Sequence, residues 1–65
     1  MLHLEPNKVY KIQISFADSG ETVHDVTLGS KINGVLEELQ KRYPNFKRII
    51  VFDADTGDVV AWVKK

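Results

Sequence analysis

Asp53 and Asp55 stand one residue apart at the end of an apolar run, in the stretch IIVFDADTGDVVAWV (49–63). A carboxylate directly after a strand, with a second two positions on, is what a phosphoryl-transfer nucleophile and its general acid require. Such pairs also open loops that hold a divalent cation through oxygen ligands. The same letters have a plainer use. Asp and Thr side chains bond nearby backbone N–H groups and Gly reaches positive φ, so Asp-Thr-Gly is also the chemistry of a tight turn. The residues downstream separate these readings.

A strand followed by Asp-x-Asp resembles the first motif of the haloacid-dehalogenase phosphatases, with Asp53 as nucleophile and Asp55 as acid. The likeness covers residues 49–57 and ends there. Gly57 stands where that family has threonine or valine, and the chain stops at residue 65, leaving no place for its downstream lysine and magnesium ligands. A calcium loop of the EF-hand type starting at Asp53 fails as well. Gly57 falls on the third ligand position, Asp58 on the invariant glycine and Lys64 on the bidentate glutamate. The sequence therefore predicts a hairpin turn, with no metal and no cofactor. His3 and His24 are the only two histidines, and neither has a second ligand at metal spacing. His24 and Asp25 point to opposite faces of a strand and cannot form a base and its orienter, which leaves His24 as a residue at the core margin. No glycine-rich phosphate loop, nucleophile elbow or Glu-x-x-His is present. A chain this short has little room for a ligand pocket. The expectation is no enzyme, no catalytic residue and no small-molecule substrate.

Composition bounds the rest. Sixty-five residues make a single domain, 1–65, near the lower size at which a core alone holds a chain together. There is no cysteine, which removes disulfides and thiolate metal sites and fits a reducing compartment. The N-terminus MLHLEPNKVYK lacks a cationic stretch followed by an apolar one, and no run approaches the length of a membrane span. A cytoplasmic location and no membrane partner are expected. The formal net charge of zero gives no global signature of polyanion binding.

The elements that must carry these residues follow from periodicity. After a lead-in (1–7), residues 8–16 alternate, with Tyr10, Ile12, Ile14 and Phe16 on one face and Lys11, Gln13 and Ser15 on the other. A second strand ends at 28, with Val26 and Leu28 assigned to the core. ADSGETV (17–23) and ADTGDVV (54–60) match in register, and each predicts a three-residue loop, Asp18–Gly20 and Asp55–Gly57, closed by a glycine at positive φ. A helix is predicted over 30–43, with Ser30 as N-cap, Ile32, Val35, Leu36, Leu39 and Tyr43 on its inner stripe, and Pro44 as its stop. A second hairpin spans 47–64. The fold class is α+β, ββαββ: a four-stranded mixed sheet in the order 2-1-4-3, strands 1 and 4 parallel at its centre, with one helix on one face. The predicted core is Tyr10, Ile12, Ile14, Phe16, Val26, Leu28, Ile32, Val35, Leu36 and Leu39. This element order over residues 8–64 resembles that of the immunoglobulin-binding domains of protein G and, more loosely, β-grasp domains. As a similarity of layout it implies no binding residues.

The second hairpin does not fit a sheet covered on one side. With Asp55–Gly57 as loop, Phe52 faces Val60 and Ile50 faces Trp62. One face then holds Ile50, Phe52, Val60 and Trp62 between Arg48 and Lys64; the other holds Ile49, Val51, Val59, Ala61 and Val63. Both are apolar, whereas one helix covers only one face. Ile49, Val51 and Val63 have the phase of the core residues, so they are placed under the helix. The partner-binding residues are then Ile50, Phe52, Val60, Trp62, Arg48 and Lys64. A basic pole gathers Lys41, Arg42, Lys47, Arg48, Lys64 and Lys65, where positive charge suits the helix dipole. The predicted function is a non-catalytic protein-interaction module, either a homodimer or an inhibitor-type binder that uses the second hairpin; short cytosolic chains of this kind also occur among phage-encoded inhibitors of host proteins, though no residue here marks that class. The competing expectation is nucleic-acid binding, with Trp62 and Phe52 stacking on bases and Arg48, Lys64 and Lys47 on phosphates.

Overall fold

The structure is a computed structural model that describes residues 4–17 and 20–65. The predicted turn residues Asp18 and Ser19, and His3, lie outside the described residues. Strands β1 (Val9–Phe16) and β2 (Thr22–Leu28) lead through one 3₁₀ turn (Gly29–Lys31) into helix α1 (Ile32–Arg42), followed by β3 (Phe46–Asp53) and β4 (Val59–Lys64). The fold is α+β. The four strands form one sheet in the order β2-β1-β3-β4, and every neighbouring pair is antiparallel.

The expected order 2-1-4-3, with its central parallel pair and its likeness to protein G and β-grasp layouts, is therefore corrected. Two features favour β3 over β4 as the strand beside β1. Tyr43 at the end of α1 meets Phe16 at the end of β1, ring centroids 5.7 Å apart. The chain thus enters β3 at that end, pairs Phe46 with Phe16 and runs back antiparallel. This also sets Ile49 opposite Ile14 and Val51 opposite Ile12, so the larger β-branched side chains fill the middle of the covered face and Ala61 stays on the edge strand.

The core consists of Tyr10, Ile12 and Ile14 from β1, Ile32, Leu36 and Leu39 from α1, Phe46, Ile49 and Val51 from β3, and Ala61. Phe16, Val23, Val35, Tyr43, Val60 and Val63 are partly buried against it. Val26 and Leu28 are not core residues, contrary to expectation. Val26 is 58% exposed and pairs with Lys11, while Val23 pairs with Ile14 and packs on the core. A three-residue loop sets Phe16 opposite Thr22. The observed partner of Thr22 is Ser15, and a slip of one residue turns a whole strand over.

The start of the helix is capped by a different part of the chain than predicted. Ser30 makes no capping bond through its side chain, and α1 proper begins at Ile32. The lead-in does this work instead: Gly29 donates its N–H to the Lys8 carbonyl (2.9 Å) and Ser30 to that of Pro6 (3.1 Å), so donors left open at a helix start are satisfied by backbone. Gly29 is required by close approach, since a Cβ there would run into the Glu5 carbonyl oxygen. At the far end Tyr43 N–H bonds the Leu39 carbonyl at 2.9 Å before Pro44 ends the helix.

Candidate functional site

Antiparallel partners share a face, so the register lays out the uncovered side of the sheet in rows. From β2 to β4, one row reads Thr22, Ser15, Arg48, Lys64, and the next His24, Gln13, Ile50, Trp62. A third reads Val26, Lys11, Phe52, Val59. Their direct neighbours Tyr10, Ile12, Ile14, Ile49 and Val51 are buried on the other side under α1. Trp62 is 66% exposed, Val59 52%, and Ile50 and Phe52 are half-buried. Exposed Val9 and Leu28, themselves partners, extend the apolar surface at the β1–β2 side.

Five of the six sequence-predicted residues, Arg48, Ile50, Phe52, Trp62 and Lys64, lie together on this face. Val60 does not. The loop is longer by one residue than expected: Asp53 donates its N–H to the Asp58 carbonyl (2.8 Å), and Gly57, at φ 80°, donates to the Asp53 carbonyl (2.8 Å). Phe52 then pairs with Val59, Val51 with Ala61, and the extra residue between them is taken up as a bulge. Val60 turns toward the core and Val59 takes its expected place, lining a shallow hollow with Arg48, Ile50, Trp62 and Lys64. A second hollow runs over Lys11, Gln13, His24, Val26 and Phe52, with Ile12 and Asp25 also in its lining. Val59 and Val26 are thus members of the surface that sequence reasoning missed, because loop length sets their phase, while Lys11, already on the outer face of β1, joins it because β3 and not β4 lies beside β1. His24, expected at the core margin, is exposed here across from Gln13.

The basic pole forms even though the strand order differs, because β3–β4 pairing alone produces it. Arg48 pairs with Lys64, and Lys65 donates its N–H to the Lys47 carbonyl. Lys41 and Arg42 occupy the last turn of α1, Arg42 bonding Glu38 at 2.7 Å. Phe46 is buried within the pole, with the Lys65 ammonium 5.4 Å from its ring centroid and donating to the Pro44 carbonyl.

The paired aspartates do not converge on a shared site. Asp53 is 8% exposed and Asp55 lies at the surface. One Asp53 oxygen, Oδ1, accepts the N–H groups of Asp55 (2.8 Å) and Thr56 (3.3 Å), which builds the turn. The other, Oδ2, lies 2.5 Å from the Lys8 ammonium. The hydrogen bond from Lys8 holds the Asp53 carboxyl below its usual range, aided by the two backbone donors, and the same bond raises the Lys8 ammonium. Among the described residues no group of three or more His, Cys, Asp or Glu could hold a metal ion, and no helix is long and apolar enough to cross a membrane. Compared with protein-family models, curated proteins and solved structures, the chain matches none.

Proposed function

We propose that this chain is a non-catalytic interaction module that binds a protein partner, or a second copy of itself, through the open face of its sheet. The observation that carries this reading is Trp62, 66% exposed at the β4 end of its row and bordered by Ile50, Val59 and Phe52, with helix α1 on the opposite side of the sheet. Contiguous apolar surface of this kind is scarce on monomers and marks contact sites, and tryptophan is the residue most enriched where binding energy concentrates. The contact residues are Arg48, Ile50, Phe52, Val59, Trp62 and Lys64. The Asp-x-Asp pair supports the non-catalytic part of the reading, because Asp53 is engaged by Lys8 and by its own turn.

Affinity capture from the source cells, run in parallel with light scattering of the purified chain, tests this. A protein retained by the wild-type chain, or a dimer, is expected to disappear with Trp62→Lys and to persist with Glu37→Lys on the exposed side of α1. Equal retention by both variants removes the open face from the reading. A second reading, single-stranded nucleic acid lying over Trp62 and Phe52 with Arg48, Lys64 and Lys47 on phosphates, draws on the exposed indole beside Arg48 and Lys64. It requires affinity that falls steeply with salt.

A further inference from the structure

Among the described residues, the Asp, Glu, Lys and Arg side chains whose phase puts them on the open face are all cations. Lys11, Arg48 and Lys64 have its phase and are exposed. None of them makes an ion pair among the described residues. The chain carries nine basic and nine acidic residues, yet the hollow around Trp62 is lined by two cations, Arg48 and Lys64, and by no carboxylate. Asp53, Asp55 and Asp58 surround the β3–β4 turn and Glu37 and Glu38 lie on α1. Asp25, on edge strand β2, lines the second hollow beside Lys11, at the far side of the sheet from Arg48, Trp62 and Lys64. It has the phase of Ile12, and its Oδ1 accepts the Val26 N–H at 2.8 Å.

This arrangement selects among occupants of the face. A neutral apolar partner seated on Trp62 strips water from Arg48 and Lys64 and gives them nothing in return, which costs free energy. A second copy packed face to face over Trp62 brings Arg48 and Lys64 against their own copies, with no carboxylate in that hollow, so like charges meet there. Nucleic acid supplies anions, but Ile50, Val59 and Val26 offer its bases no stacking surface, leaving Trp62 and the half-buried Phe52. Resting on the reading of this face as a protein-binding surface, we infer that its partner is a different protein presenting an acidic segment with an apolar anchor. The carboxylates lie over Arg48 and Lys64, and the anchor fills the hollow bounded by Ile50, Val59 and Trp62.

A random-peptide display library selected on the full-length chain, with oligothymidylate as the second probe, tests this. Recovered peptides should be enriched in Asp and Glu beside Leu, Phe or Trp, and should lose binding to Trp62→Lys. The paired change Arg48→Glu with Lys64→Glu should weaken them by about tenfold or more, as for other close interfacial charge pairs. Selection on that double variant should turn toward Lys- and Arg-bearing peptides. All three positions are exposed, and amide spectra of the variants establish that the fold is kept. Trp62-dependent peptides without acid enrichment, or self-association lost with Trp62→Lys, overturn the inference and leave the binding face standing. Salt-sensitive capture of oligothymidylate with no peptide recovered, or no binding of either probe, overturns both.

Discussion

The Lys8 ammonium lies 2.5 Å from the Asp53 carboxylate, so the residue that precedes β1 is tied to the residue that ends β3. Around this pair the Ala54 N–H reaches the Val9 carbonyl (3.3 Å) and Tyr10 pairs with Asp53. The lead-in, the central strands and the last turn thus meet at one corner, opposite the basic pole.

That corner gives stability a defined pH dependence. The Asp53 carboxyl is held below its ordinary value of 3.8 by Lys8, so its contribution is complete above that pH and is lost as pH falls through the lower folded value. Lys8 is raised above 10.5 by Asp53, so its contribution is present below that pH and is lost as pH rises through the higher folded value. Denaturant midpoints measured against pH should fall on both limbs. In Lys8→Met both falls should be shallower. An unchanged acid limb in that variant would remove the ion pair from the account.

The turn itself should separate its two aspartates. Asp55→Ala removes an exposed side chain, whereas Asp53→Ala removes the acceptor of two backbone N–H groups and the partner of Lys8. Thermal unfolding should place Asp53→Ala clearly below Asp55→Ala, which should match the wild type. Gly57→Val meets no atom within 4 Å but must hold φ 80°. A left-handed conformation costs about 1–2 kcal/mol for an ordinary residue and more for a β-branched one, so Gly57→Asn should be the milder change.

Two other glycines predict changes of opposite sign. Gly34 lies in the exposed part of α1 with open space where a Cβ would sit, so Gly34→Ala should stabilise by about 0.8–1.0 kcal/mol through helix propensity. Gly29→Ala should destabilise, because the new methyl displaces Glu5 and with it the lead-in contacts that cap the helix start. Denaturant unfolding of the two variants, with m-values compared, is the measurement.

Side-chain periodicity made the elements legible in the sequence, and loop length hid part of the site. Tyr10, Ile12 and Ile14 alternate against polar neighbours, and Ile32, Leu36 and Leu39 recur at helical spacing, so β1 and α1 follow from burial alone. The glycine-bearing turns placed both hairpins, but the β3–β4 loop is one residue longer than its letters indicate and the β1–β2 register is shifted by one. In the second hairpin the bulge at Val60 absorbs the difference, and Ile50 still faces Trp62. In the first there is no correction before Val9, so Val26 and Leu28 cross to the open face. The sequence of β2 could not decide this, because Val23 and Thr27 on one face are nearly as apolar as Val26 and Leu28 on the other. Strand order was hidden for another reason: it depends on where α1 delivers the chain, set by the contact of Tyr43 with Phe16.

The assignment of inside and outside is tested by moving one charge across the sheet. Val51 is fully buried between β1 and β4, whereas Trp62 projects from the open face. Val51→Lys buries an unpaired ammonium and removes core contacts, a loss of about 4 kcal/mol or more. That is close to the whole stability of a domain this small, about 3–5 kcal/mol from a single core, so the variant should be unfolded by circular dichroism and amide dispersion. Trp62→Lys should stay folded. The bulge makes a finer version of the same test: Val59→Lys, on the open face, should be tolerated, while Val60→Lys, turned against the core, should lower the unfolding midpoint. An order reversed at Val59 and Val60 but kept at Val51 and Trp62 would return the hairpin to a three-residue loop and put Val60 back on the binding face. Reversal at both pairs would turn the sheet over, placing the cations Arg48 and Lys64 beneath the helix, and the proposed face would no longer be available to any partner.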